Sequence, residues 1–231
     1  MKTKLLTLLI AILAIQDNHA ATIFTLDLAA GDDSSARIRD TGSFDGLGDL
    51  AQTEQNNFVG TITFGGNGAA VNTAFAFEMT GAINGGSIYA ADFSVDMDVI
   101  GGSPSFNVDV YANRVNADGT ILKSDYENGT LIMADFVTTT DVVGSYSLDA
   151  TGEANLLTYM QDNWVEGSYV FLSLKADPVQ TSFPIANNNY RFGGSSTSTA
   201  QIQLSAPEPS STALLGLGGL ALMLRRKRSA A

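Results

Sequence analysis

The sequence predicts an all-β chain: a two-sheet antiparallel β-sandwich with one short helix, set between an N-terminal signal helix and a short C-terminal transmembrane helix. Three observations carry this. Through the middle of the chain apolar residues alternate with small polar ones, the two-residue period of a strand with one face buried. Glycine-rich punctuation interrupts the alternation at short intervals, with 23 glycines and only five prolines, as turns between antiparallel strands require. Both ends of the chain instead carry unbroken apolar runs beside lysine or arginine. The chain therefore divides into residues 1–20, a β-sandwich domain over 21–205, and a C-terminal segment over 206–231.

The first element, MKTKLLTLLIAILAIQDNHAATIF, places Lys2 and Lys4 before an apolar run over residues 5–15 and then reaches Ala20 and Ala21. The run is about 16 Å long as a helix, too short for a hydrocarbon core of about 30 Å, so it reads as a cleaved signal peptide and not as an anchor. It implies the Sec translocon and signal peptidase as partners, with cleavage after Ala20 or Ala21.

Strands follow at 22–28, 58–64 and 72–79. The clearest covers residues 89–99, where Phe93, Val95, Met97 and Val99 share one parity and Asp92, Ser94, Asp96 and Asp98 the other. After the turn GGSP (101–104), Phe106, Val108, Val110 and Ala112 face inward, with Asn107, Asp109 and Tyr111 outward, and the two strands are expected to form a hairpin. Further strands are predicted at 130–136, 143–148, 169–175 and 200–204, separated by turns such as NADG (116–119). About nine strands of this kind need two packed sheets, because a single open sheet would leave an apolar face bare. One segment departs from this period: in GEANLLTYMQDNWVEG, Leu156, Leu157, Met160 and Trp164 recur at helical spacing and predict a short amphipathic helix. Trp164, the only tryptophan, is read as a plug at one end of the sandwich, with sugar stacking as the alternative.

Charge and composition narrow the function. Residues 21–205 hold 22 acids and six bases, a net charge of −16, which repels nucleic acid and anionic lipid. The chain has no cysteine, and its single histidine, His19, lies in the signal segment. The exported portion is then without disulfides, a thiol nucleophile or an imidazole base, which removes Ser-His-Asp chemistry and His-ligated zinc. Carboxylates are the abundant reactive groups. Asp96 and Asp98 share a strand face and are read as solvated, although paired carboxylates are what glycoside hydrolysis needs. Oxygen ligands also suit calcium, and a structural calcium ion is the one cofactor considered, at Asp32, Asp33 and Asp40 or at the later loop carrying Asp177. Asn128-Gly129-Thr130 matches a glycosylation sequon and is read as a turn. Tyr111, Tyr126, Tyr190 and Phe192, on a predicted outer face or in loops such as NNYRFGGSS before the final strand, are the aromatics offered to a sugar, with the covering of sheet edges and loop cores as the competing role.

From about Ala36 to Leu204 the order of features resembles the DNRLRE-type domain, a jelly-roll sandwich similar to carbohydrate-binding-module folds. The phrases that carry the resemblance are AFAFEMTGAINGGSIYAADFSVDMDV, SFNVDVYANRV, SLDATGEANLLTYMQDNWVEGSYVFLSL and NNYRFGGSSTSTAQIQL. The basic residue that the family places before the aromatic strand is replaced here by Thr73 and Ala74, and no proline precedes the final strand. The resemblance implies a jelly-roll-like fold in a secreted or surface protein, and it implies no reaction.

The last element is APEPSSTALLGLGGLALMLRRKRSAA. Residues 212–224 are apolar and uncharged, with Arg225, Arg226, Lys227 and Arg228 following at once. Basic residues stay cytoplasmic, so the domain lies outside the membrane, in agreement with the signal peptide. At about 20 Å the run is short for a span. Gly216, Gly218 and Gly219 offer another helix a close approach, while Pro207 and Pro209 keep the preceding peptide extended, the form a protease cleft accepts. Pro207, Glu208 and Pro209, the short glycine-rich helix and the basic cluster together resemble the PEP-CTERM sorting signal of Gram-negative bacteria. That resemblance implies recognition and cleavage by the membrane enzyme exosortase and delivery to the cell surface or extracellular matrix. The expected role is thus a non-enzymatic exported surface, biofilm or polysaccharide-layer protein. The alternatives are a lectin-like module holding extracellular polysaccharide and, beyond that, a glycoside hydrolase or lyase.

Overall fold

In the computed structural model the described residues are 21–26, 28, 35–40, 50–53, 57–64, 67–81, 83–122, 129–179, 186–193 and 199–207. Their alternating sequence builds twelve strands: β1 (Ala21–Leu26), β2 (Ser35–Asp40), β3 (Leu50–Thr53), β4 (Phe58–Phe64), β5 (Asn67–Glu78), β6 (Ala90–Gly101), β7 (Asn107–Asn116), β8 (Thr130–Val137), β9 (Gly144–Ser147), β10 (Tyr169–Asp177), β11 (Asn188–Phe192) and β12 (Gln201–Pro207). One α-helix, α1 (Ala150–Asn163), lies between β9 and β10. The signal helix and the C-terminal span expected from the sequence fall outside the described residues. Among the described residues no helix is long and apolar enough to cross a membrane.

Hydrogen bonding joins the strands in one curled antiparallel sheet in the order β1-β12-β6-β11-β4-β5-β10-β7-β8, with β2 attached to β5, β3 to β2 and β9 to β6. Where two separate sheets were expected, the described strands form one continuous ladder. The continuity comes from β5, whose first residues pair with β4 (Asn67 with Phe64 through Val71 with Gly60) and whose later ones pair with β10 (Thr73 with Leu174 through Glu78 with Tyr169).

The expected hairpin between residues 89–99 and 105–115 does not form. β6 pairs with β11, β12 and β9, whereas β7 pairs with β10 and β8. The GGSP link instead carries the chain from one part of the sheet to another. Gly102 has φ +70°, and a side chain there would collide with the backbone carbonyl of Asn187. Glycine was needed for the turn, but a turn residue fixes a reversal without choosing the partner strand.

The alternation itself holds. Phe93, Val95 and Met97 of β6 and Val108, Val110 and Ala112 of β7 are buried, and they join Phe75, Phe77, Ile132, Phe136, Leu172, Phe192, Ile202 and Leu204 in one core cluster. Phe93 lies at its centre, with ring centroids 6.3 Å from Phe75, 6.2 Å from Phe77 and 5.9 Å from Phe136. The helix covers this core with Leu156 and Met160, both fully buried. Its start is fixed by Asp149, whose carboxylate accepts the Gly152 N–H at 2.8 Å, satisfying one of the donors that every helix N-terminus leaves open. Two side-chain amides tie it down, Asn155 donating to the Ile132 carbonyl of β8 at 2.8 Å and Gln161 to that of Ile88, in the turn before β6, at 2.6 Å. Trp164 closes the helix and packs half-buried against the core beside Gly85, as expected of a plug.

Three strands were not expected. Most informative is β11, whose polar sequence NNYRF had read as loop. It lies centrally between β4 and β6. Its buried Asn189 is tolerated because its side-chain amide donates to the Thr61 carbonyl at 3.0 Å.

Candidate functional site

The C-terminal signal begins inside the sheet. Ile202, Leu204 and Ala206 of β12 are fully buried, the period-2 pattern that seats this strand on the core. On one edge Gln201 to Ser205 are in register with Ser94 to Ala90 of β6, and the Ser205 carbonyl also accepts the Tyr89 N–H at 2.9 Å. On the other edge Ile202 to Pro207 are in register with Leu26 to Ala21 of β1. Pro207 is the last described residue. Glu208, Pro209 and the basic cluster Arg225, Arg226, Lys227 and Arg228 lie outside the described residues, as does the apolar run before the cluster. Because Ala21 and Pro207 are cross-strand partners, the segment before β1 and the segment after β12 leave the domain at the same end of one strand pair.

A second grouping is acidic. Carboxylate oxygens of Asp109, Asp135 and Asp177 lie within 4.8 Å of one another. Among the described residues this is the set of side chains whose spacing could hold a metal ion, and oxygen-only donors suit a hard cation such as calcium. Asp177 was expected from the sequence; Asp109 and Asp135 were not. Asp109 had been assigned to an outward, solvated face, yet it is only 5% exposed. The cause is an irregularity between β7 and β8, where Val108 pairs with Val137 but Val110 pairs with Met133. The extra residues of β8 hold Asp135 at φ 55°, a left-handed conformation that aspartate tolerates better than most residues. There its N–H donates to Asp109 at 2.9 Å, and its carboxylate accepts the Asn107 amide at 2.6 Å. Burial pushes the Asp109 carboxyl above the usual range, and the charges of Asp177 and Asp135 add to the effect against the opposing bond from the Asp135 N–H. The Tyr111 hydroxyl is likewise raised, chiefly by burial and next by the Asp109 charge. No sequence signal joins positions 109, 135 and 177, because only the β7-β8 irregularity and the β7-β10 register bring them together. Asp40 ends β2, in register with Ala70. Asp32 and Asp33 lie outside the described residues.

The aromatic candidates fare unevenly. Tyr190 and Phe192 point into the core, with 1% and 0% exposure, which corrects their assignment to a loop surface. Tyr190 stacks edge-on against Phe106 at 5.4 Å. Tyr111 is half-buried, with the Lys175 ammonium 4.4 Å from its ring centroid, and Tyr126 lies outside the described residues. Asp96 and Asp98 also have surface partners: Asp96 accepts the Ser145 hydroxyl, and Asp98 pairs with Arg191 through contacts of 2.7 to 3.2 Å. Of the sequon, Asn128 is outside the described residues and Thr130 opens β8.

No curated protein matches the chain. Residues 205–228 match the PEP-CTERM protein-sorting motif. The chain thus ends in a bacterial sorting signal of the kind that implies export, anchorage at the membrane and processing by an exosortase-type membrane enzyme, and the first three residues of that signal belong to strand β12.

Proposed function

We propose that the chain is a non-enzymatic structural protein of the surface or extracellular matrix of a Gram-negative cell, held briefly at the inner membrane and released there by an exosortase. The observation that carries this is the order of parts in the matched segment: Pro207-Glu208-Pro209, a short glycine-bearing apolar run, then Arg225, Arg226, Lys227 and Arg228. Each part fits one step. Extended prolines suit a protease cleft, glycines a helix-helix contact within the membrane, and arginines retention of the end inside. A non-enzymatic role is supported by the lack of cysteine and by a single histidine in the signal segment.

The carbohydrate-binding alternative loses support from the burial of Tyr190 and Phe192, since stacking on a sugar needs an exposed ring face. A structural cation at Asp109, Asp135 and Asp177 is compatible with either reading, as a pin between β7, β8 and β10.

In a host that encodes an exosortase, Glu208→Ala is expected to leave full-length, membrane-held protein where the wild type is cleaved and released, read by fractionation and the mass of the released chain. Release of the variant at the wild-type rate would refute the processing reading. The secreted wild-type chain is expected to show no binding above background on glycan arrays, with or without calcium. Specific binding there would favour the lectin reading.

A further inference from the structure

The sorting motif does not start beyond the fold; its first residues, Ser205, Ala206 and Pro207, are the last residues of β12. Their two edges are held differently. Ser205 is gripped from both sides, by Ile23 of β1 and by Ala90 of β6 together with the Tyr89 N–H. Ala206 and Pro207 are in register with Thr22 and Ala21 of β1 and extend beyond the β6 pairing. The approach to the Pro-Glu-Pro sequence is therefore held by β1 alone. Among the described strands β1 stands at one end of the sheet order, with β12 as its strand partner, and its outward residues Ile23 and Thr25 are exposed. Leu26 anchors it in the core.

A protease that takes extended substrate pairs with one edge of the substrate backbone. Along Ala206 and Pro207, β1 lies against one of the two backbone edges, and a cleft that encloses the extended chain needs the space that β1 fills. Only four residues, 208–211, separate Pro207 from the apolar run, a reach of at most about 14 Å. The enzyme thus meets the motif while the folded sheet stands close by, and little slack chain is available to replace the paired residues.

We propose that β1 is a removable cover on the start of the sorting motif, Ser205 to Pro207, and that processing proceeds from the state in which the whole of β1 has separated from β12, exposing the backbone edge of Ala206 and Pro207 to the exosortase. The β1-β12 pair sets the rate at which the motif is offered, and it closes again on the released domain. Edge strands open at low cost compared with the global unfolding of a domain, so β1 is suited to this role where β6, central in the sheet, is not. This inference rests on exosortase processing, and the test separates the two.

Thr25 and Gln203 face each other across the pair and are both exposed. In a chain otherwise without cysteine, the double variant Thr25→Cys/Gln203→Cys forms one cross-link in the oxidising periplasm, scored on non-reducing gels. The cross-linked fraction of the full chain is expected to remain uncleaved at the membrane, with release restored by a membrane-permeant thiol reductant. Release of the cross-linked fraction at the wild-type rate overturns the proposal, because processing would then need no detachment of β1 from β12. Leu26→Ala weakens the seat of β1 without touching the motif and is expected to speed release several-fold. Unchanged or slower release of a variant whose freed domain resists protease as the wild type does also overturns it. Glu208→Ala marks the other failure: if that variant is processed normally, exosortase recognition itself is wrong.

Discussion

Asp109 shows how one residue escapes a period-based reading. Parity along β7 assigns it to the outer face, but the β7-β8 irregularity folds Asp135 over it and β10 brings Asp177 alongside. The result is a buried carboxyl with its pKa raised, first by burial. Asp92 is raised for the same leading reason. A carboxyl whose folded pKa lies above the ordinary aspartate value of 3.8 costs nothing below that value, where both states are protonated. As pH rises through 3.8 the unfolded chain ionises first, and stability falls until the folded group has ionised too. Asp109→Asn keeps an acceptor for the Asp135 N–H and removes the charge. It is therefore expected to lessen the loss of stability between about pH 4 and pH 7, measured as the difference in urea midpoint between variant and wild type. Calcium added at neutral pH is expected to raise the wild-type midpoint and not that of Asp109→Asn if the cluster holds an ion. An equal response in both would rule the cluster out as the site.

At the scale of elements, α1 is the part whose sequence and structure agree most closely. The i, i+4 pair Leu156 and Met160 predicted the buried face, and the helix runs over Ala150–Asn163, starting two residues before the segment that carried the pattern and ending just before Trp164, which caps it. Its beginning rests on the Asp149 cap. Asp149→Ala is expected to cost about 1 kcal/mol, visible as a lower thermal midpoint with no change in the overall β spectrum. Strand β11 illustrates the converse. Asparagines at its start suggested a loop, whereas the Tyr190/Phe192 alternation was the signal of a strand with one face buried, and the buried Asn189 is satisfied across the sheet by Thr61.

For the whole molecule, the core depends on contacts between strands far apart in sequence. Phe93 of β6 reaches Phe75 and Phe77 of β5 and Phe136 of β8. Phe93→Ala is expected to destabilise the domain by about 3–5 kcal/mol, with a single cooperative unfolding transition at lower denaturant. Two separate transitions would show that the parts of the sheet do not share one core. The β1-β12 pair completes this picture, since the strand pair at one end of the described sheet begins at Ala21 and runs into the sorting signal at Ser205.

By itself the sequence determined what is written in contiguous residues: the alternating strands, the amphipathic helix, the C-terminal sorting signal, the absence of cysteine and the single histidine. Each follows from a period or from the length and order of residue types along the chain. Only the tertiary structure decided which strand lies beside which. It sent β6 and β7 to different partners in place of a hairpin, turned Tyr190 and Phe192 inward, gathered Asp109, Asp135 and Asp177, and placed β1 over the start of the sorting motif. The physical reason is that a two-residue period is common to every antiparallel topology. The choice among topologies is made by the packing of side chains and the pairing of backbone edges contributed by distant segments, and neither leaves a local mark.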